Sequence, residues 1–263
     1  MATLGAASPH PPVAQISPRP IGVEDLRFAL AKGVEDFLAM PTHVLFVIVI
    51  YPIAGVIIAA VTFELDLIPL LFPLASGFAL IGPFAAIGLY ELSRRREAGL
   101  DTSWAHAYEP LKARSAGSII AVGFVLMAIF MAWLVIAMGL YWALYGTQKQ
   151  DSIFAFVEEV LTTERGWVLI LLGNLVGFAF SLIALAISVV SLPMLVDRDV
   201  DALTAIKTSL ALVRSNPQTM LLWGFIVAGL LVMGMLPLFV GLAVVMPVLG
   251  HATWHLYRRA VPS

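Results

Sequence analysis

Between Arg114 and Lys149 the chain contains no charged side chain, and residues 117–145 of this stretch are predominantly apolar. At about 1.5 Å of rise per residue, a helix of this length exceeds the roughly 30 Å of a bilayer's hydrocarbon core. Apolar residues make up 60% of the chain and charged residues 12%, with a mean hydropathy of +0.96. So few polar residues cannot cover a water-exposed surface. We therefore predict an all-α, polytopic membrane protein.

The charge balance and the absence of cysteine exclude several kinds of site. A formal net charge of -2 supplies no basic excess, which argues against nucleic acid as a partner. Without cysteine the chain has no disulfide and no thiolate ligand for zinc or iron-sulfur clusters. Any bound metal would need histidine or carboxylate ligands.

Six apolar stretches predict six transmembrane helices, which short turns join into three hairpins. They are 43–61, 67–90, 117–145, 167–193 and the two parts of 219–256, which divide between Gly234 and Pro237. An amphipathic surface helix precedes each hairpin, at 23–39, 103–114 and 203–213. In the first of these helices, Glu35 and Asp36 fall on the polar side. The predicted apolar faces are Val23, Leu26, Leu30, Val34 and Phe37, then Trp104, Tyr108 and Leu111, then Leu203, Ile206, Leu210 and Val213.

Two segments of the chain repeat one pattern, an apolar helix with two prolines that ends in an arginine cluster. At one constant offset, six residues of the first segment match six of the second. They are Pro73, Pro83, Tyr90, Leu92, Arg94 and Arg95, which correspond to Pro237, Pro247, Trp254, Leu256, Arg258 and Arg259. We predict a disordered proline-rich tail at 1–21 and a single membrane domain at 22–263, with repeat units near 22–98, 101–198 and 199–260.

Positive charge predicts the topology. With six spans, thirteen of the fifteen lysines and arginines fall on one side of the membrane, leaving Lys149 and Arg165 on the other. Cytoplasmic loops carry such an excess of positive charge, whereas five spans would place Arg258 and Arg259 on the opposite side. Six spans with both termini in the cytoplasm therefore fit best.

Four histidines are predicted near the cytoplasmic boundary: His43, His106, His251 and His255. His251 and His255 lie four residues apart and share one face of the sixth helix. Neutral imidazole is the usual ligand for a metal or a haem iron when thiolates are absent, so these residues are candidate haem or metal ligands. Alternatively they are interfacial residues, and the repeat aligns His255 with Glu91, which is not a matching haem ligand. We expect no cofactor.

Arg94, Arg95 and Arg96 form a second candidate site at the end of the second span, where they could hold anionic lipid headgroups or an acidic partner. The same charges also anchor the topology, and Glu91 is placed to pair with one of them. In the fourth span Gly173, Gly177 and Ser181 recur four residues apart. Such spacing predicts close packing of a neighbouring helix.

Spans one to five contain no Asp, Glu, Lys, Arg or His between their interfacial ends. Proton- and ion-coupled transporters place such groups in the membrane, so the pattern argues against a pump. The sequence also lacks a phosphate-binding Walker loop, a GxSxG nucleophile elbow and an HExxH metal motif. We expect no enzymatic activity.

Two stretches resemble a family of predicted bacterial integral membrane proteins whose function is unassigned, some members of which carry a cytochrome c oxidase-like label. They are GVEDFLAMPTHVLF at 33–46 and SGFALIGPFAAIGLYELSRRREAGLDTSWAHAY at 76–108. The resemblance implies a bacterial inner-membrane protein. It supplies no catalytic residue.

The leading hypothesis is a non-catalytic inner-membrane protein, an accessory, assembly or scaffold component that contacts the lipid bilayer and other membrane proteins, including those of respiratory machinery. One alternative is a passive transporter or channel for a small or lipid-like solute through the proline-bent second and sixth helices. The other is a haem- or metal-binding protein that uses His251 and His255.

Overall fold

The computed structural model describes residues 17–40, 68–70, 72–74, 82–83, 86–146, 152–236 and 240–262. Throughout these ranges the regular structure is helical and includes no strand, which confirms the all-α prediction. The helices are α1 (Val23–Ala39), α2 (Ile87–Glu97), α3 (Ala116–Tyr145), α4 (Ile153–Thr162), α5 (Glu164–Ser188), α6 (Ser191–Asp197), α7 (Ala202–Ser215), α8 (Pro217–Met235) and α9 (Leu242–Ala260). Two 3₁₀ helices, Ile68–Leu70 and Trp104–Lys112, accompany them.

Three stretches of helix are long and apolar enough to cross a membrane: α3, α5 together with α6, and α8. They correspond to the predicted third, fourth and fifth spans. The fourth begins at Glu164, and a break at Val189 and Val190 separates α5 from α6. The first predicted span and nearly half of the second lie outside the described residues, and the sixth, α9, does not meet the same criterion within them. The six-span arrangement stays a prediction.

Side chains near the helix ends explain where several helices begin. The Asp25 carboxylate accepts a hydrogen bond from the Gly22 amide at 2.9 Å, at the start of α1. Thr163 accepts from the Gly166 amide at 3.1 Å before α5, and Asp201 accepts from the Thr204 amide at 2.9 Å before α7. These contacts satisfy amide groups that have no partner in the first helical turn.

Each of the three surface segments packs against the exit helix of another predicted repeat unit, so these contacts link the three units in a closed cycle. The 3₁₀ helix Trp104–Lys112 packs against α2, the exit helix of the first predicted unit, and α7 packs against α5 and α6, the exit of the second. The first surface helix, α1, packs along α9, the exit of the third. The exit helices α2, α6 and α9 also contact one another. Each surface segment therefore covers the exit helix of the preceding unit, and the first covers the last.

The residues that these segments bury differ from the predicted apolar faces. In α1 the buried residues are Leu26, Ala29, Gly33 and Asp36. The predicted face residues Val23 and Val34 are exposed instead. The 3₁₀ helix likewise buries Ala107 and Pro110 and exposes Trp104, Tyr108 and Leu111, and α7 buries Ala205, Thr208, Ser209 and Leu212 and exposes Leu203. Other residues of the predicted faces, Leu26, Leu30, Ile206 and Val213, pack against the protein core. The exposed large apolar residues are placed as expected for helices on a bilayer surface.

Residues just before α1 are packed against the bundle, although the sequence prediction assigned them to a disordered tail. The Arg19 amide donates to the Ala260 carbonyl at 2.9 Å. The Ile21 amide donates to Asn216 Oδ1 at 2.8 Å, and the Ile21 side chain is buried. The ordered domain therefore begins before the predicted boundary at residue 22.

Candidate functional site

A buried carboxylate, Asp36, joins three helices at the end of the bundle where the arginines gather. It lies on α1 and is 3% exposed. Its Oδ2 atom accepts hydrogen bonds from the Ser93 hydroxyl of α2 at 2.5 Å and from His255 Nε2 of α9 at 2.8 Å. Its Oδ1 atom accepts from the guanidinium of Arg96, also on α2. We call Asp36, Ser93, Arg96, His251 and His255 the Asp36 cluster.

The Ser93 hydroxyl links the carboxylate to a second histidine. Ser93 Oγ lies 2.7 Å from Nδ1 of His251, which is fully buried. A serine hydroxyl has one hydrogen, and here Asp36 receives it, so His251 Nδ1 must be the donor toward Ser93. Both imidazoles therefore direct an N–H group toward Asp36, His255 directly and His251 through Ser93.

The surroundings of Asp36 keep it ionised. Burial alone would raise the pKa of its carboxyl, but hydrogen bonds from His255, Ser93 and Arg96 and the charge of His255 outweigh burial. The pKa falls from the ordinary 3.8 to about 2. The cluster therefore contains a permanent buried negative charge, and its partners supply the compensating hydrogen bonds and positive charge.

A second network continues from the same end of α9 to α2 and α6. Glu97, the last residue of α2, accepts from Trp254 Nε1 at 3.1 Å and from Arg258 Nε at 3.2 Å. Asp197, the last residue of α6, accepts from the Tyr257 hydroxyl at 2.6 Å and from Arg258 Nη1 at 3.3 Å. These contacts tie the three exit helices together.

The three arginines of the second candidate site each pair with a carboxylate of the chain itself. Arg94 forms two hydrogen bonds with Glu91, at 2.8 and 2.7 Å, as the sequence predicted for one of the three. Arg95 lies 2.7 Å from Glu109 of the 3₁₀ helix, and Arg96 binds Asp36. The structure therefore accounts for all three charges through internal pairs, and their predicted contact with lipid or partner stays a prediction.

The predicted histidine set is only partly brought together. His251 and His255 share the Asp36 cluster, whereas His106 lies between Asp101 Oδ2, at 2.9 Å, and Glu109 Oε1, at 2.5 Å, on the 3₁₀ helix. His43 lies outside the described residues. His251 and His255 each direct one ring nitrogen into the cluster, where it is engaged by Ser93 and by Asp36 respectively. In the described part of the chain no group of three His or acidic residues is arranged to hold a metal ion.

The small residues of the fourth span face α3 at one position. A Cβ atom added to Gly177 would lie 3.2 Å from the Trp133 ring of α3, whereas one added to Gly173 would meet nothing within 4 Å. The Ser181 hydroxyl donates to the Gly177 carbonyl of its own helix at 2.9 Å. Of these three residues, Gly177 is the one that makes a close interhelical approach.

Sequence reasoning placed Asp36 on a polar, solvent-facing side and did not single out Ser93. One signal was present for Asp36. It follows Leu26, Ala29 and Gly33 at intervals of three and four residues, so it lies on the small-residue face of α1. A carboxylate on a face of small residues indicates a buried pair. No comparable signal marks Ser93, because its partners are distant in sequence.

Comparison with known proteins supports the membrane assignment. Residues 70–197 match the model of a family described as predicted integral membrane protein (DUF2189). The matched segment runs from the end of the 3₁₀ helix Ile68–Leu70 to the last residue of α6 and includes Ser93 and Arg96. No curated protein and no solved structure matches the chain.

Proposed function

We propose that this predicted integral membrane protein is a non-catalytic component of the bacterial inner membrane, which packs against other membrane proteins as an accessory, assembly or scaffold subunit, including those of respiratory machinery. The observation that carries the proposal is the small buried share of its candidate spans. Within their most apolar windows, 28% of α3, 33% of the α5–α6 stretch and 17% of α8 is buried inside the chain. Most of each helix is therefore available to lipid or to another protein.

The proposed docking face is on α8. Leu221, Phe225, Val232 and Leu236 recur along one side of this helix and are 40%, 56%, 57% and 77% exposed. Phe225 stacks on Phe178 of α5 with ring centroids 5.8 Å apart, so the apolar face continues onto a second helix. A broad apolar face built from two helices fits an apolar helix of a partner protein.

Two matched substitutions test the docking face. Gly229 lies among the exposed residues of α8 and Gly139 on the exposed side of α3, and a Cβ atom at either glycine would meet nothing within 4 Å. In native gels of mildly solubilised membranes, wild type should migrate in a particle larger than the isolated chain. Gly229→Trp should release it from that particle, because the new ring blocks the face, whereas Gly139→Trp should not. Migration of wild type at its own size would refute the scaffold role.

The proposed topology has six spans and both termini in the cytoplasm, supported by the distribution of lysine and arginine. A single cysteine at Lys149 should react with an impermeant reagent on intact cells, whereas one at Arg96 should not. Reaction at Arg96 would invert the topology.

The two alternative functions keep specific tests. A passive channel needs a continuous path, yet the two cavities of about 110 and 330 Å³ found among the described residues share no lining residue. Haem binding predicts a Soret band in the purified protein that His251→Leu abolishes. We expect no such band, and its appearance would replace the scaffold proposal.

A further inference from the structure

A cavity of about 110 Å³ lies among α2, α5, α8 and α9. Its lining is mostly apolar, with hydroxyl groups contributed by three of the four helices. The lining includes Pro83, Tyr90, Ser188, Val227, Met246 and Thr253. Pro83 and Met246 belong to the predicted second and sixth helices, where the repeated prolines Pro83 and Pro247 lie.

The hydroxyl groups mark the end of the cavity that is closer to the charged end of the bundle. Tyr90 precedes Arg94 by about one helical turn on α2, and Thr253 precedes Arg258 by little more than one turn on α9. On α9, Met246 lies about two turns, or roughly 10 Å, farther from Arg258 than Thr253 does. The cavity therefore has hydroxyl groups toward the interface and apolar residues toward the membrane interior.

Of the three hydroxyl groups, the one on Tyr90 is available as a hydrogen-bond donor. Ser188 Oγ donates to the Ala184 carbonyl and Thr253 Oγ1 to the Leu249 carbonyl, both at 2.7 Å. Tyr90 is only 2% exposed, and among the described residues its hydroxyl forms no hydrogen bond. Tyr90 lines a mostly apolar cavity, so an acceptor oxygen from a molecule bound there would give its hydroxyl a hydrogen bond and stabilise this arrangement.

We propose that this cavity binds the first part of one acyl chain of a glycerophospholipid, with the ester carbonyl of the lipid accepting a hydrogen bond from Tyr90. The ester groups of a bilayer lie between the headgroups and the hydrocarbon, which is the depth that Tyr90 takes when Arg94 is at the interface. Val227 and Leu231 of α8 line the cavity and are half-buried, so an acyl chain has access from the lipid-facing side. The inference rests on the membrane placement and not on a scaffold partner.

The test compares ester-linked with ether-linked phospholipids that carry the same headgroup and chains. Ether lipids lack the carbonyl and so lose the proposed hydrogen bond. Purified, delipidated protein is exposed to an equal mixture, and retained lipid is measured by native mass spectrometry. Wild type should retain about one lipid per chain and favour the ester form about fivefold, the factor expected from one hydrogen bond.

Three variants test which residues are responsible for lipid binding and for the preference for ester lipid. Tyr90→Phe should lose the preference for ester lipid and still fold, because its hydroxyl has no partner within the described chain. Val227→Trp should lose the lipid itself by filling the cavity. Tyr145→Phe is the matched control. Tyr145 stacks on Tyr141 at the C-terminal end of α3 and does not line the cavity. It should behave as wild type.

Two results would overturn the proposal. They are equal retention of ester and ether lipids by wild type and an unchanged preference in Tyr90→Phe. Thermal unfolding of each variant in detergent separates loss of the site from loss of the fold. Because lipid retention is measured on the isolated chain, its failure is distinguishable from failure of the scaffold proposal, which native gels report.

Discussion

Arg95 and Arg96 are neighbours on α2, yet their carboxylate partners come from two different surface segments in opposite environments. Arg96 binds Asp36 of α1, whose side chain is 4% exposed. Arg95 binds Glu109 of the 3₁₀ helix at 2.7 Å, and the Glu109 side chain is 45% exposed. The carboxylate of one pair is therefore buried, whereas the carboxylate of the other is open to solvent.

Burial determines how much each ion pair contributes to the free energy of unfolding. An exposed pair between flexible side chains contributes about 0–1 kcal/mol, because water screens the charges. Removing one member of a buried pair costs about 3–5 kcal/mol, because the remaining charge is left without compensation in a poorly hydrated site. We therefore expect α1 to depend on its ion pair, whereas the 3₁₀ helix depends mainly on packing.

The largest effect should come from neutralising the buried carboxylate. Asp36→Asn leaves Arg96 without its buried counter-charge and weakens the hydrogen bonds from Ser93 and His255, so unfolding free energy should fall by about 3–5 kcal/mol. Thermal unfolding in detergent and protease cleavage within α1 measure the loss.

Glu109→Gln is the matched control on the exposed side and should cost less than about 1 kcal/mol. Equal destabilisation by the two substitutions would contradict the comparison, since burial would then have no influence on the value of the pair.

A smaller effect should follow from adding one methyl group where α1 packs against α9, or where α2 packs against the 3₁₀ helix. A Cβ atom on Gly33 would lie 2.7 Å from both Ala252 Cβ and the Val248 carbonyl oxygen of α9, and neither can move without shifting backbone. Gly33→Ala should therefore destabilise the protein by about 1–3 kcal/mol. At the other contact, a Cβ atom on Gly88 would lie 3.0 Å from Ala107 Cβ, so Gly88→Ala should cost less.

Gly117→Ala controls for the general effect of replacing a helical glycine. A Cβ atom there would meet nothing within 4 Å, so the change should be neutral or stabilise by up to about 1 kcal/mol through helix propensity. The same unfolding measurement applies to all three variants. A Gly33→Ala protein as stable as Gly117→Ala would show that α1 does not approach α9 so closely.

Further effects concern pH, and the two contacts should respond in opposite directions. The pKa of Asp36 is lowered to about 2, so its stabilisation is complete above its ordinary pKa of 3.8 and is lost as the pH falls toward 2. About 2 kcal/mol should disappear in that acid window, and Asp36→Asn should not show this component.

At the exposed contact, a hydrogen bond to Glu109 raises the pKa of His106 above the ordinary 6.5, and a hydrogen bond to Asp101 adds to it. The contribution of protonated His106 is therefore complete below 6.5 and is lost as the pH rises through the raised value. The fluorescence of Trp104 on the same 3₁₀ helix should report the change, and His106→Asn should remove it. A shift in wild type on acidification instead would show that the sign is wrong.

Local sequence patterns alone predict the helical class, the apolar helices α3 and α8 and the residue range of α1. Long apolar stretches must form helices where no water is available to bind the backbone, and their lengths follow from bilayer thickness. The repeat pairs Tyr90 with Trp254 and Leu92 with Leu256, and all four residues are buried; their structural equivalence stays a prediction.

Contacts between distant helices determine which face of each surface segment meets the protein and which charged side chains form pairs. The apolar pattern of α1 placed Asp36 on the solvent side, because hydrophobicity alone does not distinguish a face turned to the bilayer from one turned to the protein. Close approach of α9 at Gly33 selects the small-residue face, and that choice buries Asp36 against Ser93 and His255, which lie far away in sequence. Contacts between distant segments set this geometry, so no local pattern in the sequence could reveal it.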